Sequence, residues 1–274
     1  MTQPVFADVD TGVDDALALI YLIASDDAEL IGVGATAGNV AVDQVCHNTL
    51  GVLQLCGSTD VPVSRGAPAP LRTRLVTAGD LHGPSGLGHA VLPPAQQGPA
   101  GYDAAEAWVR AARAHPGTLV GVAVAPLTNL ALALRREPAL PGLLRRLVVV
   151  AARNADVDPQ AADEVAVAWD RRSLILCDRT LTEQAVIDPA VLDRLTGAAG
   201  ARTRLVEFID DAVRFRFEVN LGRGVGYRAH LHDPLAAAVA LDPALAGDPA
   251  TFVERFVARV GALARSLADV RPHS

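Results

Sequence analysis

The stretch Ala7-Asp-Val-Asp-Thr-Gly-Val-Asp-Asp-Ala-Leu-Ala-Leu19 places four aspartates, Asp8, Asp10, Asp14 and Asp15, within eight residues. Val5 to Val9 reads as a short buried strand. Asp14 to Ser25 reads as a helix, with Ala16, Leu17, Leu19, Ile20 and Ile23 at apolar positions. Thr11-Gly12 makes the turn between them. In open α/β sheets ligands bind outside the carboxyl ends of the strands, which is where Asp8 and Asp10 fall. Carboxylates in a first helical turn are favoured by the helix dipole and by free backbone N–H groups. One or two would serve as caps. Four exceed that need, because crowded carboxylates repel and raise one another's pKa. A hard divalent cation relieves the repulsion and takes oxygen ligands. The plain alternative is a heavily solvated cap.

Outward from this stretch, strands and helices alternate. Glu29 to Ala35 and Val61 to Ser64 read as strands, with a helix over Asp43 to Cys56 between them. Residues 65–101 are rich in Gly and Pro and read as loop. A helix at Ala104 to His115, a strand at Thr118 to Val124, a helix at Leu127 to Arg136 and a strand at Leu147 to Ala151 follow. Beyond about residue 155 the pattern weakens. Ser173 to Cys177 and Ala185 to Ile187 suit strands, and Leu205 to Phe217 and Pro234 to Leu241 suit helices. This alternation predicts an α/β fold: an open, mostly parallel sheet flanked by helices. No linker or composition break divides residues 1–274, so one domain is expected.

The chain of 274 residues is half hydrophobic and carries a formal net charge of −7. All 24 basic residues are arginine. Without lysine there is no Walker A phosphate loop and no lysine Schiff base. No basic run points to nucleic acid. Cys46, Cys56 and Cys177 lack metal-like spacing and read as reduced, buried thiols. No targeting or membrane-spanning segment is visible, which predicts a cytoplasmic protein.

The spacing Asp8-Val9-Asp10 also opens haloacid-dehalogenase-type phosphatases. Those usually carry Thr or Val two residues after the second Asp, where this chain has Gly12, and a later lysine, which it lacks. The stretch more closely resembles the Asp-x-Asp-Pro-Gly-x-Asp-Asp signature of the inosine-uridine-preferring nucleoside hydrolases, with Thr11 where proline is common. Thr36-Ala-Gly-Asn-Val40, Leu81-His-Gly-Pro-Ser-Gly-Leu87, Ala125-Pro-Leu-Thr-Asn-Leu-Ala131 and His232-Asp-Pro-Leu-Ala236 resemble further family segments in the right order. Gly261-Ala-Leu-Ala-Arg265 resembles the family's closing strand. The resemblance implies a Rossmann-like nucleoside hydrolase fold and a homodimer or homotetramer acting on a small-molecule nucleoside.

It also implies chemistry: water cleaves the N-glycosidic bond to give free base and ribose. Ca²⁺ would be held by Asp10, Asp15, Asp233 and the Thr128 carbonyl, with Asp10 also the general base. Asp14 and Asn39 would bind the ribose hydroxyls. His232 and His82 would offer a proton or hydrogen bond to the departing base, a task suited to imidazole near neutral pH. Nearby carboxylates would stabilise the oxocarbenium-like transition state. His82 on a Gly/Pro loop, Asn39 in a turn and Asn129 at a helix start each have an ordinary structural reading as well. His47, His89, His115, His230 and His273 lack any such context.

The pattern departs from the family between residues 151 and 172. Anchoring on Asp170 puts Glu164 on the family's Glu but Ala166 on an Asn that holds the sugar's 5′ side. Asn154 has the identity, and Asp158 the spacing, of another Asn. The altered 5′ half suggests another residue in that role, a 5′-modified nucleoside, or a weakly active ribosyl-binding protein. Arg153 or Arg172 would suit an anionic substituent. Phe208 and Phe215 share a helical face, which reads as core. Tyr227 is a candidate contact to the base.

Overall fold

In a computed structural model, which describes residues 2–150, 152–170 and 173–269, β1 (Gln3–Val9) lies inside a six-stranded parallel sheet. β2 (Ala28–Ala35) and then β3 (Val63–Arg65) flank it on one side. β4 (Leu119–Ala123), β5 (Leu144–Val150) and β6 (Leu174–Cys177) follow on the other. The register sets Asp8 beside both Gly34 and Ala123. The chain moves outward from β1 to β3, then crosses back to β4. Strand order therefore reverses beside β1, and the connections part above the carboxyl ends of β1 and β4. That crevice is where an open sheet binds its ligand.

Helices α1 (Val13–Ile23) and α2 (Val42–Leu55) follow the first two strands. The short α3 (Gly79–His82), then α4 (Ala104–Ala114), α5 (Thr128–Arg136) and the short α6 (Leu140–Leu143) come next. Past β5 lie α7 (Ala152–Val157) and α8 (Pro159–Ala168), and past β6 lies α9 (Arg179–Thr182). β7 (Val186–Ile187) pairs antiparallel with β8 (Ala229–His230), with α10 (Pro189–Ala199) and α11 (Arg204–Gly222) between them in sequence. α12 (His232–Leu241) and α13 (Pro249–Asp269) close the fold.

The two-residue period of β1 feeds two cores. Val5, Ala7 and Val9 join one with α1 and α12; Phe6 joins the other with Trp108 of α4. Phe6 and Trp108 rings sit 4.5 Å apart. Burying side chains of this size contributes about 1.5–3 kcal/mol each. The same alternation turns Asp8 toward Trp108.

The expected alternation holds through β5, with shifts at the ends. The third strand starts at Val63 rather than Val61, and residues 65–101 contain only α3 as helix. The helix expected at Leu205 to Phe217 runs on to Gly222. The expected closing strand at Gly261 to Arg265 is instead the interior of α13, where Val260, Gly261 and Ala264 are buried on one face. That spacing is helical, not alternating.

Candidate active site

Asp10 lies just beyond β1, and Asp15 fixes the turn that carries it. The Asp15 carboxylate accepts from the backbone N–H of Asp10 and of Gly12, each at 3.0 Å. It also accepts from Asn39 Nδ2 at 3.0 Å. Asn39 follows β2, and its backbone N–H donates to Asp10 Oδ2 at 2.7 Å. Two adjacent strand ends are thus tied together through carboxylates. Gly38 makes this approach possible, since a Cβ there would lie 2.0 Å from Asp10 Oδ2.

Asp14, one residue along α1, points the other way, toward the start of α12. Its Oδ2 accepts from the Asp233 backbone N–H, while Oδ1 is buried and meets no donor. Burial raises the Asp14 pKa to about 7, with Asp15 adding to the shift and the Asp233 N–H and Arg216 opposing it. Burial raises Asp15 as well. Asp233 is pushed well above the usual carboxylate range by burial and then by Asp14, Asp15 and Asp10. The crowding inferred from sequence is therefore real, and a fourth acid from the far end of the chain joins it. Asp8 stands apart: its oxygens accept from Trp108 Nε1 at 2.6 Å and Asn129 Nδ2 at 3.1 Å. Asn129, whose ordinary reading is a residue at a helix start, also accepts from the Ala67 N–H, which ties Asp8 to the segment after β3.

Among the described residues, no group of three or more His, Cys, Asp or Glu forms a ready metal shell. The donor chemistry nonetheless fits a hard divalent cation: the carboxylates of Asp10, Asp15 and Asp233 are buried and close enough that the first two raise the pKa of the third.

Two histidines border these acids. His82, at the end of α3, packs over Gly12, where a Cβ would fall 2.3 Å from its Nδ1. Nδ1 accepts the Val13 backbone N–H at 3.0 Å. An amide can only donate, so a neutral His82 carries its proton on Nε2. Asn48 fastens the loop behind it, donating to Thr11 O and Ser85 O. His232 begins α12 and bonds through Nδ1 to Thr182 Oγ1 at 2.7 Å. Burial, then His230 and Arg216, lowers its pKa to about 4.

Asp10, Asp14, Asn39, His82, Asn154, His232 and Asp233 all line one cavity of about 710 Å³. The family model described as "Inosine-uridine preferring nucleoside hydrolase" matches residues 5–270. The chain belongs to this nucleoside hydrolase family. It is 32% identical over 271 residues to a pyrimidine-specific ribonucleoside hydrolase, RihA, of Enterobacter sp. (strain 638), covering 94% of this chain and 83% of that protein. A plant nucleoside hydrolase, PpNRh1, superposes with a TM-score of 0.82 at 26% identity, covering 89% of this chain and 80% of that one. A purine-preferring ribonucleoside hydrolase from Gardnerella vaginalis shares the fold with a TM-score of 0.89 at 24% identity, over 96% and 100% of the two chains.

Of the other residues singled out from the nucleoside hydrolase resemblance, most lie off this wall. Glu164 is on the outer side of α8, paired with Arg135 at 2.6 Å, and is absent from the cavity wall. Ala166 is exposed on the same helix, so the missing Asn removes nothing from that wall. Aligning by spacing failed because a helix turns successive residues about its axis. Of the alternatives Asn154 and Asp158, Asn154 lines the cavity, while Asp158 caps α8 and accepts the Thr128 hydroxyl at 2.6 Å. Thr128 and Asp15 are buried behind the wall rather than on it. Tyr227 is 41% exposed and set edge-on against Phe217, with its neighbours Val225 and Arg228 on the wall instead. Phe208 is buried as expected, and Phe215 packs against His89. His230, expected to be ordinary, lines the cavity 5.5 Å from the His232 ring. The Arg153 side chain and Arg172 lie outside the described residues, as does His273.

The wall also holds Arg179, Thr182, Glu183, Arg216 and Asn220, which the sequence reading missed. Asn220 left a usable signal: a polar residue on the buried face of α11, below Val213 and Phe217. The others sit where hydrophobic periodicity fades.

Proposed function

We propose that this cavity hydrolyses a ribonucleoside to free base and ribose, with the ribose held against the acidic floor. The supporting observation is convergence: Asp10, Asp14, Asn39, His82, His232 and Asp233 come from separate segments to one cavity at the sheet's switch point. Asp14 and Asn39 receive the vicinal hydroxyls. Asp10 takes a proton from the attacking water as its oxygen bonds to C1′. The C1′–N bond breaks, its electron pair passes to the base, and positive charge spreads over C1′ and the ring oxygen. The buried carboxylates stabilise that charge. His82, with its proton on Nε2, donates a hydrogen bond to the departing base, which takes its proton from solvent as Asp10 returns its own.

Asp10, Asp15, Asp233 and the Thr128 carbonyl would hold Ca²⁺, which when bound would orient the diol and acidify a water. Uridine and cytidine are the first substrates to try, since relatives at this identity are named pyrimidine-specific. A homodimer or homotetramer in the cytoplasm is the expected setting; no described helix is long and apolar enough to cross a membrane.

The test is a panel of purine, pyrimidine and 5′-modified nucleosides, assayed for free base and reducing sugar with and without chelator. Release that stops on chelation supports the reading. Tight binding without release from any nucleoside overturns it in favour of a ribosyl-binding protein.

A further inference from the structure

Thr182 ends α9 and is 1% exposed, yet it borders the cavity. Its hydroxyl makes two contacts: Oγ1 lies 2.9 Å from the Asp178 carbonyl oxygen and 2.7 Å from His232 Nδ1. A hydroxyl has one proton. The Asp178 carbonyl can only accept, so a bond at that distance takes the threonine proton. Were the proton turned to His232 instead, two lone-pair oxygens would face each other in a buried site. The threonine oxygen must then accept, and His232 Nδ1 must donate. Neutral His232 therefore carries its hydrogen on Nδ1 and leaves Nε2 as a bare acceptor.

We propose that Thr182 is a positioning residue that locks His232 in the Nδ1–H tautomer, so that the ring meets the substrate as a hydrogen-bond acceptor. The substrate group received there is a donor, a hydroxyl or a ring N–H. That second statement rests on the nucleoside reading; the tautomer does not. The two cavity histidines are then complementary. His82, whose Nδ1 is held by a backbone amide, presents a donor; His232, whose Nδ1 is held by a hydroxyl, presents an acceptor in place of the donor expected of it from the resemblance. Such partners behind an imidazole fix both ring orientation and tautomer.

Two-bond ¹H–¹⁵N correlation spectra of the ¹⁵N-histidine-labelled full chain test this at mildly alkaline pH, with His232→Asn assigning the signals. The expected wild-type pattern is pyrrole-type Nδ1 and pyridine-type Nε2 for His232. Thr182→Val removes the acceptor and shifts the pattern toward Nε2–H; Thr182→Ser keeps it. In the active enzyme Thr182→Val lowers kcat/KM about tenfold, the loss of one hydrogen bond, and Thr182→Ser recovers most of it. A wild-type Nε2–H pattern, or a pattern unchanged in Thr182→Val, overturns the proposal. Should Thr182→Val fail to fold, the wild-type and Thr182→Ser spectra still decide the tautomer. A protein without turnover would sink the hydrolase reading and leave the spectra to judge this one.

Discussion

The backbone N–H of Asp233 donates to Asp14 Oδ2 at 3.2 Å, joining the starts of α1 and α12 across 219 residues of sequence. Both carboxylates are pushed upward in pKa, largely by burial, with Asp15 adding to Asp14 and with Asp14, Asp15 and Asp10 adding to Asp233. Carboxylates held this way retain protons that a metal ion must displace. Asp15 and Asp233, the proposed ligands raised in this way, lose their protons as Ca²⁺ binds, so its affinity is expected to rise with pH. Titration calorimetry in two buffers of different ionisation enthalpy checks it. Affinity independent of pH, with no proton release, would contradict the picture.

Asp10→Asn keeps the size of the side chain and removes its basicity. The rate of base release should fall by roughly 10²–10⁴, the usual worth of a general base. Melting temperature should hold, since the amide can still accept the Asn39 N–H. A variant with near-wild-type kcat would exclude Asp10 as the base.

Asp8 belongs to the scaffold. Asp8→Ala leaves Trp108 Nε1 and Asn129 Nδ2 without their acceptor, costing about 1–3 kcal/mol for each buried unpaired group. Its folded pKa, raised by burial to about 7, exceeds the ordinary 3.8. The folded state thus holds this proton more tightly, and the stability it contributes is lost as pH rises through about 7. The gap in stability between wild type and Asp8→Ala should narrow over that range in denaturant melts. A gap that widens would reverse the assignment.

Glu164→Gln should leave kcat and KM unchanged, because the side chain meets Arg135 outside the cavity. Losing a partly exposed ion pair should change stability by well under about 1 kcal/mol. A clear rise in KM would instead show that α8 turns inward when substrate binds.

The strand, turn and acidic helix start were legible because everything that specifies them lies within a few residues. Asp15 bonds N–H groups at positions 10 and 12, and the alternation of Val5, Phe6, Ala7 and Val9 is complete in the strand itself. His232 and Asp233 were legible through resemblance, since nothing local says that α12 begins beside α1. Glu164 and Tyr227 were misplaced because spacing along a chain does not report which side of a helix or loop faces the cavity. Thr182 was missed because its role depends on a partner 50 residues away and leaves no periodic trace.

The seat of His82 over Gly12 makes these two positions evolve as one. Any side chain at 12 would strike the imidazole ring, so position 12 can diversify only in lineages where 82 has shrunk or its loop has swung away. Across divergent sequences the pair should covary, and library selection that randomises both should recover large residues at one only with small residues at the other.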